Sequence, residues 1–235
     1  MASNLYFQFK KFTVRMNSCA MKVGTDGVLL GSWFDANRVR RLLDIGTGTG
    51  LLALMAAQRG VTDIIAVEID KSASIQACEN VANSPWNESI EVINTDISAF
   101  QCEKPFNAII SNPPYFRNSL KSPDAMRTVA KHNESWSFEK LVMNVVRLLS
   151  AEGEFSVIIP SDLSEIMEKI CFVNGLYLKR KTSVITREGQ SPKRDLISFV
   201  RSVCVCENDV LTMTDRDGKC TEKYMRLVKE FYLKY

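Results

Sequence analysis

Leu42-Leu43-Asp44-Ile45-Gly46-Thr47-Gly48-Thr49-Gly50, followed by Leu51 to Gln58, is the stretch whose reading decides the fold. It reads as a buried strand, a glycine-rich turn and then a helix. In that arrangement bare backbone and a helix N-terminus approach a nucleotide-like ligand closely. A dinucleotide-binding fingerprint would place its third glycine at position 51, and Leu51 stands there instead. Working outward, apolar runs at 42–45, 64–67, 90–93, 106–111 and 155–159 alternate with helical patterns at 50–59, 71–83, 137–149 and 161–174. That alternation predicts an α/β, doubly wound, mostly parallel sheet with helices on both faces. Ser137 is placed as an N-cap, with Glu139 in the first turn behind it. Late runs at 176–186 and 195–206 flank Glu188-Gly189-Gln190-Ser191-Pro192, a hairpin-like break. A long polar stretch, 117–135, has the length of a functional lid or binding loop.

Composition bounds the rest. With 235 residues, 46% hydrophobic and 24% charged, the expectation is one globular domain over 1–235, its segment 1–40 preceding the first core strand. No apolar run reaches the ~20 residues of a membrane span, and Met1 to Lys10 lacks the pattern of a secretory signal. Asn4 to Gln8 resembles part of a protease tag. Seven cysteines, none in a Cys-x-x-Cys pair, fit a reducing cytoplasm. Cys204 and Cys206 are expected on one face of a strand, packed in the core. The single histidine, His132, reads as a surface loop residue; no metal site is expected, and no Ser or Cys stands in a nucleophile-elbow sequence. The formal charge of +3 proves nothing about nucleic acid, but its distribution is suggestive. Lys10, Lys11, Arg15 and Lys22 crowd the N-terminus, and Lys179, Arg180, Lys181, Arg187, Lys193 and Arg194 cluster late, as phosphate-neutralising groups do.

Three acids and one turn carry the chemistry. Ile64 to Val67 ends at Glu68, about twenty residues beyond the glycine loop, where a βαβ unit places a carboxylate on ribose hydroxyls. Asp70 reads as a helix N-terminal acid. Asp96, at the end of the run Ile90 to Ile93, is either a turn residue or an acceptor for an adenine amino group with Ile97 against the ring. Phe106 to Ser111 stops at Asn112-Pro113-Pro114-Tyr115. Each proline fixes its own φ and holds the preceding residue extended. Such an exit holds the Asn112 side-chain carbonyl and neighbouring backbone carbonyls as a rigid array of acceptors. That array suits a planar amino group, which donates two hydrogen bonds while the Tyr115 ring stacks on its π-face. Phe116 is either the opposite wall of the pocket or a core residue.

The glycine spacing, with Asp44 two residues ahead, resembles the cofactor loop of class I methyltransferases that use S-adenosylmethionine. Glycine loop, Glu68, Asp96 and Asn-Pro-Pro-Tyr in that order resemble the amino-group methyltransferases acting on adenine N6, guanine N2 or glutamine N5. Cys19 to Gly31 (Cys-Ala-Met-Lys-Val-Gly-Thr-Asp-Gly-Val-Leu-Leu-Gly) and Gln190 to Leu196 make the chain similar to the bacterial tRNA-valine adenine-N6 methyltransferases, from about Phe9 to Val203. The resemblance implies a seven-stranded sheet with one antiparallel strand near the C-terminus, and S-adenosylmethionine held by Asp44, Gly46, Gly48, Gly50, Glu68, Asp96 and Ile97. Asn112, Pro113 and Tyr115 are implied as catalytic, with Phe116, Lys193 and Arg194 on the tRNA. A cytoplasmic monomer is expected. Two alternatives stay open: a protein-glutamine N5 methyltransferase, and a catalytically silent RNA-binding module of the same fold.

Overall fold

The computed structural model describes residues 5–16, 23–114 and 137–233. A short hairpin, β1 (Tyr6–Gln8) and β2 (Thr13–Arg15), stands apart from the main sheet. After it come α1 (Thr25–Trp33), β3 (Arg41–Ile45), α2 (Leu51–Gln58), β4 (Asp63–Glu68), α3 (Lys71–Ala82), β5 (Ile90–Asn94) and β6 (Phe106–Ser111). The chain continues through α4 (Phe138–Leu148), β7 (Leu149–Pro160), α5 (Ser164–Val173), β8 (Tyr177–Arg187), β9 (Arg194–Val200), β10 (Glu207–Thr214) and α6 (Glu222–Val228).

The main sheet runs β10-β8-β9-β7-β6-β3-β4-β5, and β9 is antiparallel to both its neighbours. It therefore carries one strand more than the expected seven. The additional strand, β10, adds parallel to β8 at the sheet edge. Its first four residues are exposed and only Leu211 is buried, so the apolar alternation that marks a core strand is missing from its sequence. A second correction concerns 195–206. β9 stops at Val200, Cys204 is exposed and Cys206 half-buried, so neither cysteine occupies the core strand position expected of it.

Alternation along β3 sorts its side chains between two cores. Leu42 joins the apolar cluster under α1, α2 and the hairpin, while Leu43 and Ile45 join the one under α4 and α5. Asp44 shares the side of Leu42 and is wholly buried there. α2 is apolar all round, with Leu51 to Ala57 buried, as a helix enclosed on every side must be. α4 is instead amphipathic, burying Leu141, Val142, Val145 and Leu148 at helical spacing, and Ser137 caps it by accepting the Lys140 N–H at 3.2 Å. Each such aliphatic side chain contributes ~1.5–3 kcal/mol on burial.

Two features aim the site. Strand order reverses between β3 and β6, and ligands of open α/β sheets bind beyond the carboxyl ends of strands at such a switch point. There α1 lies close against α2, because Gly27 and Gly31 face Leu51 and Met55. A Cβ added at Gly31 would fall 2.5 Å from the Met55 sulfur.

Candidate active site

The loop after β3 is held open by its glycines. Gly46, Gly48 and Gly50 have φ of +72°, +57° and +83°, a region that side chains of L-residues disfavour. A Cβ at Gly46 or Gly48 would meet nothing within 4 Å, so open space lies before both. A Cβ at Gly50 would sit 3.5 Å from that of Ala77, which is how closely the loop packs on α3. The Gly46 and Thr47 N–H groups donate to the Val67 carbonyl at 2.9 and 3.1 Å, stitching the loop to the end of β4.

Glu68, the next residue of β4, is nearly buried and uses both oxygens. It accepts the Gly48 N–H at 2.8 Å and the Asp70 N–H at 2.9 Å. Asp70 in turn caps α3, accepting the Ala73 N–H at 2.7 Å. Asp44 accepts the Thr47 hydroxyl on Oδ2 at 2.5 Å, and the Ala53 backbone N–H also favours its charged form. Removal from water pushes the Asp44 carboxyl up to about 7, against the pull of the Thr47 hydroxyl and with the charge of Glu68 adding to the rise. Asp96 behaves as a turn residue, accepting the Ser98 N–H at 2.8 Å. With Ile97 it also borders a cavity shared with Ile45, Gly46, Val67 and Ile69, beside the glycine loop.

The second half of the site comes from distant parts of the chain. The Ser111 hydroxyl donates to the Ile45 carbonyl at 2.9 Å, tying the end of β6 to the end of β3. Asn112, Pro113 and Pro114 then line a cleft of about 330 Å³ with Gly46 to Thr49 and the first turn of α1, Gly24 to Gly27. A Cβ at Gly27 would lie 2.9 Å from Leu51 Cδ2 and 4.0 Å from the Asn112 amide nitrogen, so this turn sits directly against Asn112. Arg194, the first residue of β9, anchors the turn through an ion pair from its Nε to Asp26 Oδ2 at 2.7 Å. Both partners are partly buried. Neighbouring Lys193 is exposed.

Asp44, the three glycines, Glu68, Asp96, Ile97, Asn112 and Pro113 are thus gathered at the carboxyl ends of β3 to β6, with Arg194 at the rim. Tyr115, Phe116, His132 and the 117–135 stretch lie outside the described residues. Sequence reasoning missed Thr47, Ser111 and the Asp26–Arg194 pair. Only Gly27 and Gly31, four residues apart, gave a signal for α1, as a small face on which a second helix packs. Among the described residues no group of His, Cys, Asp and Glu is placed to hold a metal ion, and no helix is long and apolar enough to cross a membrane.

A switch-point cleft lined by a three-glycine loop and an Asn-Pro-Pro turn defines a class I methyltransferase. In fold the chain is similar to a "predicted O-methyltransferase" from Agrobacterium tumefaciens, with TM-score 0.67 and 18% identity over 88% of this chain and 96% of that one. It is also similar to the glycopeptide N-methyltransferase MtfA, solved with S-adenosylmethionine, with TM-score 0.57 and 13% identity over 77% of this chain and 100% of that one. The profile of the methyltransferase small domain family matches residues 19–170. Proteins described as tRNA1(Val) (adenine(37)-N6)-methyltransferase are similar over almost the whole chain. That of Phocaeicola vulgatus is 50% identical over 98% of both chains, and that of Bacteroides thetaiotaomicron 47% over 98% of both. The Trichodesmium erythraeum protein is 42% identical over 97% of this chain and 98% of its own. The chain belongs to this tRNA1(Val) (adenine(37)-N6)-methyltransferase family, within the methyltransferase small domain group.

Proposed function

We propose that residues 1–235 form one methyltransferase domain that transfers a methyl group from S-adenosylmethionine to the N6 amine of adenine 37 in a valine tRNA. The observation that carries this is the single cleft joining the glycine loop to the Asn112-Pro113-Pro114 turn. The relatives' names supply the particular base and RNA.

The residues present fit the cofactor. Space is open before Gly46 and Gly48, and Asp44 is a wholly buried carboxyl beside the loop, suited to a cationic ligand. Asp44, the 46–50 loop, Glu68, Asp96 and Ile97 would hold it, with Glu68 on ribose hydroxyls and Asp96 with Ile97 on the adenine. S-adenosylmethionine supplies a methyl made electrophilic by its sulfonium. The exocyclic nitrogen of the target adenine is a poor nucleophile, because its lone pair is delocalised into the ring. The Asn112 and Pro113 carbonyls accept its two N–H bonds and favour a pyramidal nitrogen. Orientation of this kind supplies much of the rate in a displacement between two held reactants. Tyr115 would stack on the base, worth ~1–3 kcal/mol by analogy with other base–aromatic contacts. Lys193 would neutralise RNA phosphate, and Arg194 would do so only with whatever capacity its pairing to Asp26 leaves. A target in an unpaired loop suits the cleft, since such a base is splayed out cheaply.

The same reading makes the protein a cytoplasmic monomer working on tRNA. The test is direct. Purified protein, S-adenosylmethionine and unmodified valine tRNA should yield N6-methyladenosine by nucleoside mass spectrometry. Methylation of a glutamine peptide but of no RNA would overturn the reading.

A further inference from the structure

The β1–β2 hairpin and the C-terminal part of α3 line a groove of about 540 Å³, separate from the cleft. Its polar lining includes Lys10, Lys11, Thr13, Arg15, Asn80 and Asn83, and none of the residues lining it is acidic. Strand alternation explains the hairpin's two faces. Phe12 and Val14 point inward and are buried, with Phe12 stacked on Phe9 at 4.6 Å between ring centroids. Lys11, Thr13 and Arg15 point outward and are exposed. Lys10 is partly engaged, its Nζ donating to the Lys229 carbonyl at 2.5 Å.

The groove is held in fixed register with the cleft by one buried amide. Asn80 Oδ1 accepts the Arg15 N–H at 2.9 Å, and its Nδ2 donates to the carbonyls of Arg15 and Thr49 at 3.0 and 2.9 Å. Thr49 belongs to the glycine loop and lines the cleft. All the hydrogen-bonding capacity of this amide that matters for position is thus spent on joining the hairpin to the loop. Lys11 lies in the bend of the hairpin and Arg15 at the far end of β2 (Thr13–Arg15), four residues on, so the cations are spread along the hairpin rather than gathered at one point. A chain of successive phosphates matches cations laid out in this way better than one small anion does.

We infer that this groove docks the phosphate backbone of the RNA substrate, setting the distance from a backbone contact to the base held at Asn112. The inference rests on the RNA reading above, and its test is chosen to separate the two. Lys11→Glu combined with Arg15→Glu changes exposed side chains only and touches no residue placed in the cleft. Binding is measured by fluorescence anisotropy with two probes, unmodified valine tRNA and a single-stranded oligouridylate, over a range of salt. The double variant should bind both probes at least tenfold more weakly, with a log K against log salt slope shallower by about 1.4 to 1.8 for two lost phosphate contacts. S-adenosylmethionine affinity without RNA should stay as in the wild type, which a merely unfolded variant would not manage. Unchanged affinity and slope for both probes would overturn the groove while leaving the methylation reading intact. A wild type that methylates no tRNA, paired with a variant that still loses RNA affinity, would overturn the substrate reading and leave the groove standing.

Discussion

The two halves of the cleft are built in opposite ways. The cofactor half is made of neighbours: β3 and β4 pair in parallel, so the loop after β3 meets the end of β4 as a matter of register. Gly46, Thr47 and Gly48 find their partners at Val67 and Glu68, one strand away. The substrate half joins segments far apart in the chain. Asn112 leaves β6, its wall is the first turn of α1, and that turn is anchored by Arg194 from β9, 168 residues beyond Asp26. A loop fixed by its own strand pairing has little freedom to lose its shape. The wall rests on the packing of α1 against α2 and on one partly buried ion pair to β9, and loss of that pair should spoil substrate geometry before it spoils cofactor binding.

The largest expected effect tests whether the halves are separable at all. Asn112→Ala should lower turnover about 100- to 1,000-fold, the range for removing one preorganised polar group from a site of developing charge. Calorimetry should find S-adenosylmethionine affinity within about threefold of wild type, since that acceptor belongs to the other half; near-normal turnover would place the acceptor array elsewhere. Glu68→Ala is the reciprocal break. It removes a charged acceptor from the Gly48 and Asp70 N–H groups as well as the proposed ribose contact, so cofactor affinity should fall about 10- to 100-fold, as loss of one hydrogen bond to a charged group does. Unchanged affinity in a folded variant would remove Glu68 from the cofactor site.

Breaking the long-range anchor should cost less. Arg194→Ala or Asp26→Ala should reduce kcat about fivefold, in line with a partly exposed ion pair, and the double variant should be no worse than either single one. Additive losses would mean that the two residues act separately, for instance with Arg194 on RNA phosphate. The smallest effect is a fraction of a proton. Asp44 has its carboxyl raised from 3.8 to about 7, so between those pH values the native chain keeps a proton that the unfolded chain has released. This group therefore costs stability as pH rises through that window, and Asp44→Asn should flatten the slope there. A cation arriving beside this carboxyl would drive that proton off. Cofactor binding near pH 6 should then release protons in the wild type and fewer in Asp44→Asn, read by calorimetry in buffers of different ionisation enthalpy.

Legibility follows the same division. The parallel sheet, the glycine loop, Glu68 and the Asn-Pro-Pro turn were readable, because each is a local pattern: a buried strand, glycines at alternate positions, an acid at a strand end, prolines that forbid a helix. Ser137 and Asp70 were readable as caps for the same reason. β10 was not, since an edge strand exposing Glu207 to Val210 carries no apolar alternation. Nor was the fate of Cys204 and Cys206, which depended on where β9 ends rather than on their spacing.

The sequence by itself determined that a ligand-binding loop follows Asp44 and that Asn112 begins a rigid exit, because φ restrictions and hydrophobic periodicity act within a few residues. Only the tertiary structure decided that Ser111 ties these two turns together, that Gly27 lets α1 come close against Leu51 beside Asn112, and that Arg194 reaches Asp26. Those contacts span up to 168 residues. No local preference encodes them; they exist because packing two apolar clusters on opposite faces of one sheet brings the strand ends and α1 to the same edge.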